Sequence, residues 1–254
     1  MSLVLFETKE KTAILTLNAP DSLNAMSEQM ASEFSEAIDK VQKTPGLRAM
    51  ILTGAGRAFS AGGDLEMLLN KTKLTREENK KRMLSFYNSF LKLRSLEIPT
   101  IAAINGHAIG AGLCVACGCD IRVASKGAKF GFTFTKLGLH PGMGATYFLR
   151  EVVGASNSSL LLLTGRVIED ETALRLGLIS DLVDSSIERA KEIVSEIESS
   201  GPECTTQLLV SLRNPSNSLT DALNREAEAQ SINYGGKEFL EGLTATKEKR
   251  RANW

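Results

Sequence analysis

Four cysteines in 254 residues are too few for a disulfide scaffold, and three of them share one apolar run, Cys114 to Cys119. Their spacing lacks the paired Cys-x-x-Cys units of a zinc ribbon, and Cys204 is remote, so they read as small buried thiols with no metal site. Net charge is also missing. Lys+Arg and Asp+Glu both number 30, a balance that argues for neither nucleic acid nor an anionic membrane as a partner. No apolar run approaches the roughly 20 residues of a membrane helix. The first eight residues, Met-Ser-Leu-Val-Leu-Phe-Glu-Thr, read as a strand without the basic start and cleavage region of a signal peptide. The last residues are not a peroxisomal Ser-Lys-Leu address, so a cytoplasmic location is expected. Two functional signatures fail as well. No Gly-x-Ser-x-Gly elbow supports a serine hydrolase, and Phe59 takes the third glycine place after Gly54-Ala55-Gly56, against a nucleotide fingerprint.

What is present is an ordinary globular composition, 43% hydrophobic and 24% charged, long enough for a substantial core. Val4 to Glu10 and Thr12 to Leu17 suggest a hairpin around a charged turn. Ser27 is N-cap-like and opens a helix with Met30, Phe34, Ala37, Ile38 and Val41 as its buried stripe. Thr44-Pro45-Gly46 stops that helix, and Arg48 to Thr53 is the next strand. Strand and helix alternate again through Pro99 to Ile104, a helix entered near Ala111, and Ile121 to Ala124. This rhythm predicts right-handed crossovers and an α/β fold with a largely parallel sheet. Lys71 to Lys81 is a polar run leading into an amphipathic helix with Met83, Phe86, Tyr87, Phe90 and Leu91. After Asp184 the pattern is helical throughout, which divides the chain into a core, residues 1–184, and a C-terminal helical region, residues 185–254.

Two stretches carry chemistry. Ile101 to Asp120 delivers a short apolar strand through Asn105-Gly106 to Gly110-Ala111-Gly112 and a run of small apolar residues. Arg57 to Leu65 has the same character, with Ser60-Ala61-Gly62-Gly63-Asp64 between a strand and a helical pattern. Small residues let a ligand approach the backbone, and the first turn of a helix offers free N–H groups with the positive dipole end. One N–H from each loop is the arrangement that an oxyanion hole requires.

With these loops the chain resembles the enoyl-CoA hydratase/isomerase (crotonase) superfamily. Further matching pieces are Leu17 to Met26, Gly138-Leu139-His140-Pro141-Gly142-Met143-Gly144, Leu163-Thr164-Gly165, Ala173 to Leu178 and the ending Glu248 to Trp254. The resemblance implies a crotonase-like spiral of β-β-α units with a helical C-terminal trimerisation region, and a homotrimer or dimer of trimers. It implies an acyl-CoA thioester as ligand, with no cofactor beyond the coenzyme A of the substrate. The oxyanion donors would be the backbone N–H groups of Gly63 and Ala111. Most relatives have glycine where Ala111 stands, and alanine would be strained there at positive φ. Ser60, Ala61 and Asp64 would line the coenzyme side, and Lys249, Arg250 and Arg251 would lie near its phosphates; the bland reading of that last run is a solvated terminus.

The resemblance breaks at the acid/base residues. Family hydratases use two glutamates, one where this chain has Cys114 and one where it has Phe134. Hydration needs one group to deprotonate water and another to protonate the α-carbon. Phenylalanine can do neither, and a thiol does either poorly near neutral pH. Among possible substitutes, His140 bears an imidazole able to exchange protons, yet lies in a segment that many relatives use structurally; His107 reads as structural and Asp64 as a helix cap, while Glu66 is open. The expectation is an enzyme that stabilises a thioester enolate or oxyanion without efficient enoyl-CoA hydration. The rival is a non-catalytic acyl-CoA-binding member.

Overall fold

The structure, a computed structural model, describes residues 2–254. Its opening hairpin pairs β1 (Val4–Lys9) with β2 (Thr12–Leu17), and helix α1 (Glu28–Lys43) follows with the Ser27 hydroxyl accepting from the Met30 N–H. Every residue of the expected α1 stripe is buried. Three turns of one repeating unit come next. Strand β3 (Ala49–Gly54) leads to β4 (Ala58–Ser60), then to helices α2 (Leu65–Lys71) and α3 (Arg76–Leu91). Strand β5 (Thr100–Ile104) leads to β6 (His107–Ile109) and helix α4 (Ala111–Gly118). Strand β7 (Ile121–Ser125) leads to β8 (Lys129–Gly131), a 3-10 turn over Thr133–Leu137, and helix α5 (Ala145–Thr164). Then come β9 (Val167–Glu169), α6 (Asp170–Arg175) and β10 (Asp181–Val183). The chain finishes with α7 (Ser186–Glu198), α8 (Pro202–Arg213), α9 (Leu219–Tyr234) and α10 (Lys237–Glu248).

Each turn places its first strand in one sheet and its second in another. The larger sheet runs β1-β2-β3-β5-β7-β10 and is parallel from β2 onward; the smaller runs β4-β6-β8-β9. This is the β-β-α spiral implied by the resemblance, and hydrophobic periodicity alone does not encode it. The second strands are only three residues long, too short for an alternation to register.

Both faces of the larger sheet are buried, so its strands read as continuous apolar runs. Met50, Leu52, Ala102 and Ile104 point to the side of α1 and α4, whereas Ala49, Ile51, Ile101, Ala103 and Val123 point to Ala190, Ile193 and Val194 of α7. Helix α7 therefore covers the far face of the sheet. Helix α8 is tied down by charge: Arg213 Nη2 lies 2.6 Å from Asp120 Oδ2, and its Nη1 donates to the carbonyls of Arg94 and Leu96.

Candidate oxyanion site

The site is built where the first two turns of the spiral meet. At the end of β4 the Ser60 side chain is fully buried, its hydroxyl donating to the Asn24 carbonyl at 2.8 Å and accepting the Gly62 N–H at 3.1 Å. Ser60 therefore shapes the loop from inside. Asn24 anchors the same loop. Its Nδ2 donates to the carbonyls of Ala55 and Ala58 at 2.9 and 2.8 Å, and its Oδ1 accepts the Ala19 N–H at 2.8 Å. Ala61 is exposed at the turn. Asp64 caps α2, its Oδ1 accepting the Met67 N–H at 2.8 Å.

Gly63 pairs with Met26 in a single parallel bridge: the Met26 N–H donates to the Gly62 carbonyl, and the Asp64 N–H donates to the Met26 carbonyl. In such a bridge the middle residue turns its own N–H to the opposite side, away from Met26. The Gly63 N–H is thus left free to meet a ligand. On the second loop, Gly110 adopts φ 52°, ψ −123°, a conformation open only to glycine, and its N–H donates to the Gly131 carbonyl at 2.7 Å. That kink starts α4 at Ala111. The strain expected at Ala111 is absent, since Gly110 takes the positive φ and Ala111 lies within the helix. As the first helical residue, Ala111 has an N–H with no intrahelical acceptor, and it sits at the positive end of the helix dipole.

The two loops touch. A Cβ built on Gly62 would lie 2.9 Å from the Ile109 carbonyl oxygen and 3.5 Å from the Ala111 amide nitrogen; one on Gly112 would fall 2.5 Å from Ser60 Cβ. Asn105 holds the strand ends in line, accepting from the Gly54 N–H and donating to the Gly56 carbonyl, each at 3.0 Å. The free amides of Gly63 and Ala111 are therefore brought to one place by glycines that permit backbone contact.

Around them the walls are apolar. Leu68 side-chain carbons lie 3.6 Å from where a Cβ on Gly63 would be. The Phe134 ring comes within 4.0 Å of where a Cβ on Gly110 would be. Cys114, on α4 three residues past Ala111, is fully buried, and burial first, then Cys117, pushes its thiol well above the ordinary value. It is a neutral thiol near pH 7. Burial likewise raises Cys117 to about 11 and Cys119 to about 12. Among the described residues no group of three His, Cys, Asp or Glu is placed to hold a metal ion.

Other residues singled out from the sequence fall elsewhere. His107 accepts the Lys129 N–H through Nδ1, a structural contact between β6 and β8. His140 is exposed, with Nδ1 2.8 Å from the Pro141 carbonyl, in an open depression shared with Thr135 and Arg150. Glu66 is exposed in the first turn of α2. Arg250 is engaged by Glu241 and Glu248, and with Arg251 it borders a cleft near Trp254 and Ser199 that none of the loop residues lines. Tyr87 of α3, half-buried, sets its hydroxyl against the Gly142 backbone.

Two sheets wound from β-β-α turns, with two strand-to-helix junctions in contact, define a crotonase-type fold. The chain belongs to the enoyl-CoA hydratase/isomerase family: residues 7–254 match the family described as Enoyl-CoA hydratase/isomerase. It is 35% identical over 247 residues to a putative enoyl-CoA hydratase of Thermus thermophilus, covering 95% of this chain and 96% of that protein. A short-chain-enoyl-CoA hydratase of Clostridium acetobutylicum is 34% identical over 252 residues, covering 98% and 95%. The crystal structure of an enoyl-CoA hydratase from Bacillus anthracis superposes with a TM-score of 0.92 at 30% identity, covering 99% of this chain and 98% of that one. No helix among the described residues is long and apolar enough to cross a membrane.

Proposed function

We propose that this chain binds an acyl-CoA thioester, sets its carbonyl oxygen between the N–H groups of Gly63 and Ala111, and stabilises the enolate or oxyanion formed there. The observation that carries this reading is the contact of the two loops, with a Cβ on Gly62 falling 3.5 Å from the Ala111 nitrogen. Two preorganised backbone donors in an apolar site act on the charge that develops in the reaction; losing one such donor costs about 3–4 kcal/mol in enzymes of this kind. Exposed Ala61 and the Asp64 turn form the coenzyme side, with buried Ser60 fixing their backbone. No cofactor beyond the coenzyme A of the substrate enters this reading.

The relatives carry the name enoyl-CoA hydratase, but efficient hydration is not proposed for this chain. Cys114 and Phe134 stand where the family's two glutamates are expected. One is a thiol held neutral by burial and the other an aromatic ring, so neither can deprotonate water or return a proton to the α-carbon. The same facts support a second reading, a binder that retains the fold and the thioester site without turnover. Residues 1–184 would carry the thioester site and residues 185–254 a trimerisation region.

Calorimetry with butyryl-CoA and butyrate, followed by turnover across enoyl-, 3-hydroxyacyl-, malonyl- and aryl-CoA thioesters, tests both readings. Butyryl-CoA should bind and butyrate should not. Turnover of any thioester selects the enzyme, turnover of none selects the binder, and no thioester binding at millimolar ligand removes both.

A further inference from the structure

Gly62 is the pivot of the first loop, and a glycine at φ 95° has no side chain to hold it in that conformation. The peptide after it carries both the Gly62 carbonyl and the Gly63 N–H, which point in opposite directions because the peptide is trans. The Met26 N–H donates to that carbonyl at 2.7 Å, which fixes one edge of the peptide plane. Ser60 fixes the other side of Gly62. Its hydroxyl accepts the Gly62 N–H at 3.1 Å and donates to the Asn24 carbonyl at 2.8 Å. These bonds close a ring that runs from Ser60 through Asn24, Ala25 and Met26 to Gly62 and back. The Ser60 oxygen is the one side-chain atom in it.

Ser60 also meets the second loop. Gly112 follows Ala111 in the first turn of α4, and a methyl group on it would lie 2.5 Å from Ser60 Cβ and 2.6 Å from Ser60 Oγ. Side chain and helix turn are packed with no room for another carbon. One fully buried side chain thus holds the peptide of the Gly63 N–H by its oxygen and abuts the turn that presents the Ala111 N–H. Serine suits both contacts. A hydroxyl donates and accepts at once, a methyl group does neither, and a thiol is a weak donor.

We propose that Ser60 is a positioning residue of the oxyanion site. Its hydroxyl fixes the direction of the Gly63 N–H, and its Cβ fixes the distance of that donor from the Ala111 N–H, without touching the substrate. This rests on the thioester reading above.

Butyryl-CoA labelled with ¹³C at the thioester carbonyl, read by infrared difference spectroscopy at saturating ligand, tests this on the full chain, with urea unfolding as a check of the fold. In Ser60→Ala the lowering of the bound carbonyl stretch should diminish, and affinity should fall about three- to tenfold, the worth of one neutral hydrogen bond. A merely structural serine would lower the urea midpoint and leave the stretch of the bound ligand unmoved, which overturns the proposal. Gly112→Ala tests the spacing independently and should weaken binding at least about tenfold by displacing a donor. Ser60→Gly added to Gly112→Ala vacates the space that the new methyl needs, so the double variant should bind more tightly than Gly112→Ala alone. A double variant that binds no better overturns the spacing role, and this pair decides the matter if Ser60→Ala does not fold. If the unmodified chain binds butyryl-CoA with no lowering of the stretch, the oxyanion reading falls and the proposal with it. A lowered stretch that is the same in Ser60→Ala removes the proposal alone.

Discussion

The Phe134 ring comes within 4.0 Å of where a methyl group on Gly110 would stand, so an aromatic edge closes the loop that presents the Ala111 N–H. This contact sets an apolar surface beside that loop. A low dielectric strengthens hydrogen bonds to an oxyanion, yet the same ring can neither hold nor activate an attacking water.

Crotonyl-CoA hydration should accordingly run at least about a hundredfold below that of an efficient relative, since a placed acid/base group contributes roughly 10²–10⁴. Cys114→Ala should scarcely alter whatever turnover exists, because the buried thiol is neutral. Glutamates placed at positions 114 and 134 together should raise hydration more than either alone, as a single carboxylate among apolar walls is held protonated. Spectrophotometric assay of the unmodified chain and the four variants checks this; an ordinary hydratase rate in the unmodified chain contradicts it.

Gly62→Ala should loosen the site. Gly62 has φ 95°, and an alanine Cβ would press on the Ile109 carbonyl oxygen at 2.9 Å, adjoining the Ala111 amide. The strain is about 1–3 kcal/mol in denaturant unfolding, and affinity for butyryl-CoA should fall at least about tenfold as the two donors separate. Unchanged stability and affinity would show that the loops do not meet as described.

The Asp120–Arg213 pair predicts acid lability. Burial alone would raise the Asp120 pKa, but hydrogen bonds and charge from Arg213, with Thr100, bring it below the ordinary 3.8. A carboxylate whose folded pKa is depressed stabilises the fold above its unfolded value, and that contribution disappears as pH falls through the folded one. Arg213→Met should cost about 3 kcal/mol at pH 7 by removing the closest of the charges that offset the burial of Asp120. With only Thr100 and the more distant Arg94 left to offset burial, the penalty should shrink as Asp120 protonates on acidification. Urea midpoints at pH 7, 5 and 3.5 check this; a penalty independent of pH contradicts it.

Much of this was legible in the chain. The Ser27 cap, the α1 stripe, strands β3, β5 and β7 and all four terminal helices follow from capping residues and apolar spacing. Helix α5 was not foreseen. Its glycine at 154 departs from helical geometry, and Leu160 to Leu163 form an apolar block without a polar face. Ser60 was expected beside the ligand because its loop matches the family, but only the fold reveals that its hydroxyl is turned inward to Asn24. Tyr87 read as one more member of an amphipathic stripe, and only the fold sets its hydroxyl against Gly142, fifty-five positions along the chain.

Leu212, Leu219 and Leu240 are 70%, 74% and 67% exposed on α8, α9 and α10. An apolar surface of that kind belongs in an interface. Sedimentation at micromolar concentration should give a trimer or a hexamer, and Leu219→Glu should shift the chain toward smaller species. A monomer for the unmodified chain contradicts this.

The most direct test of the oxyanion site reads the thioester carbonyl itself. Butyryl-CoA labelled with ¹³C at that carbon, examined by infrared difference spectroscopy, reports the hydrogen bonds its oxygen receives when bound. Donation from Gly63 and Ala111 predicts a carbonyl stretch at lower wavenumber than in water, with the shift diminished in Gly62→Ala. A bound carbonyl that absorbs at or above its frequency in water would contradict the account.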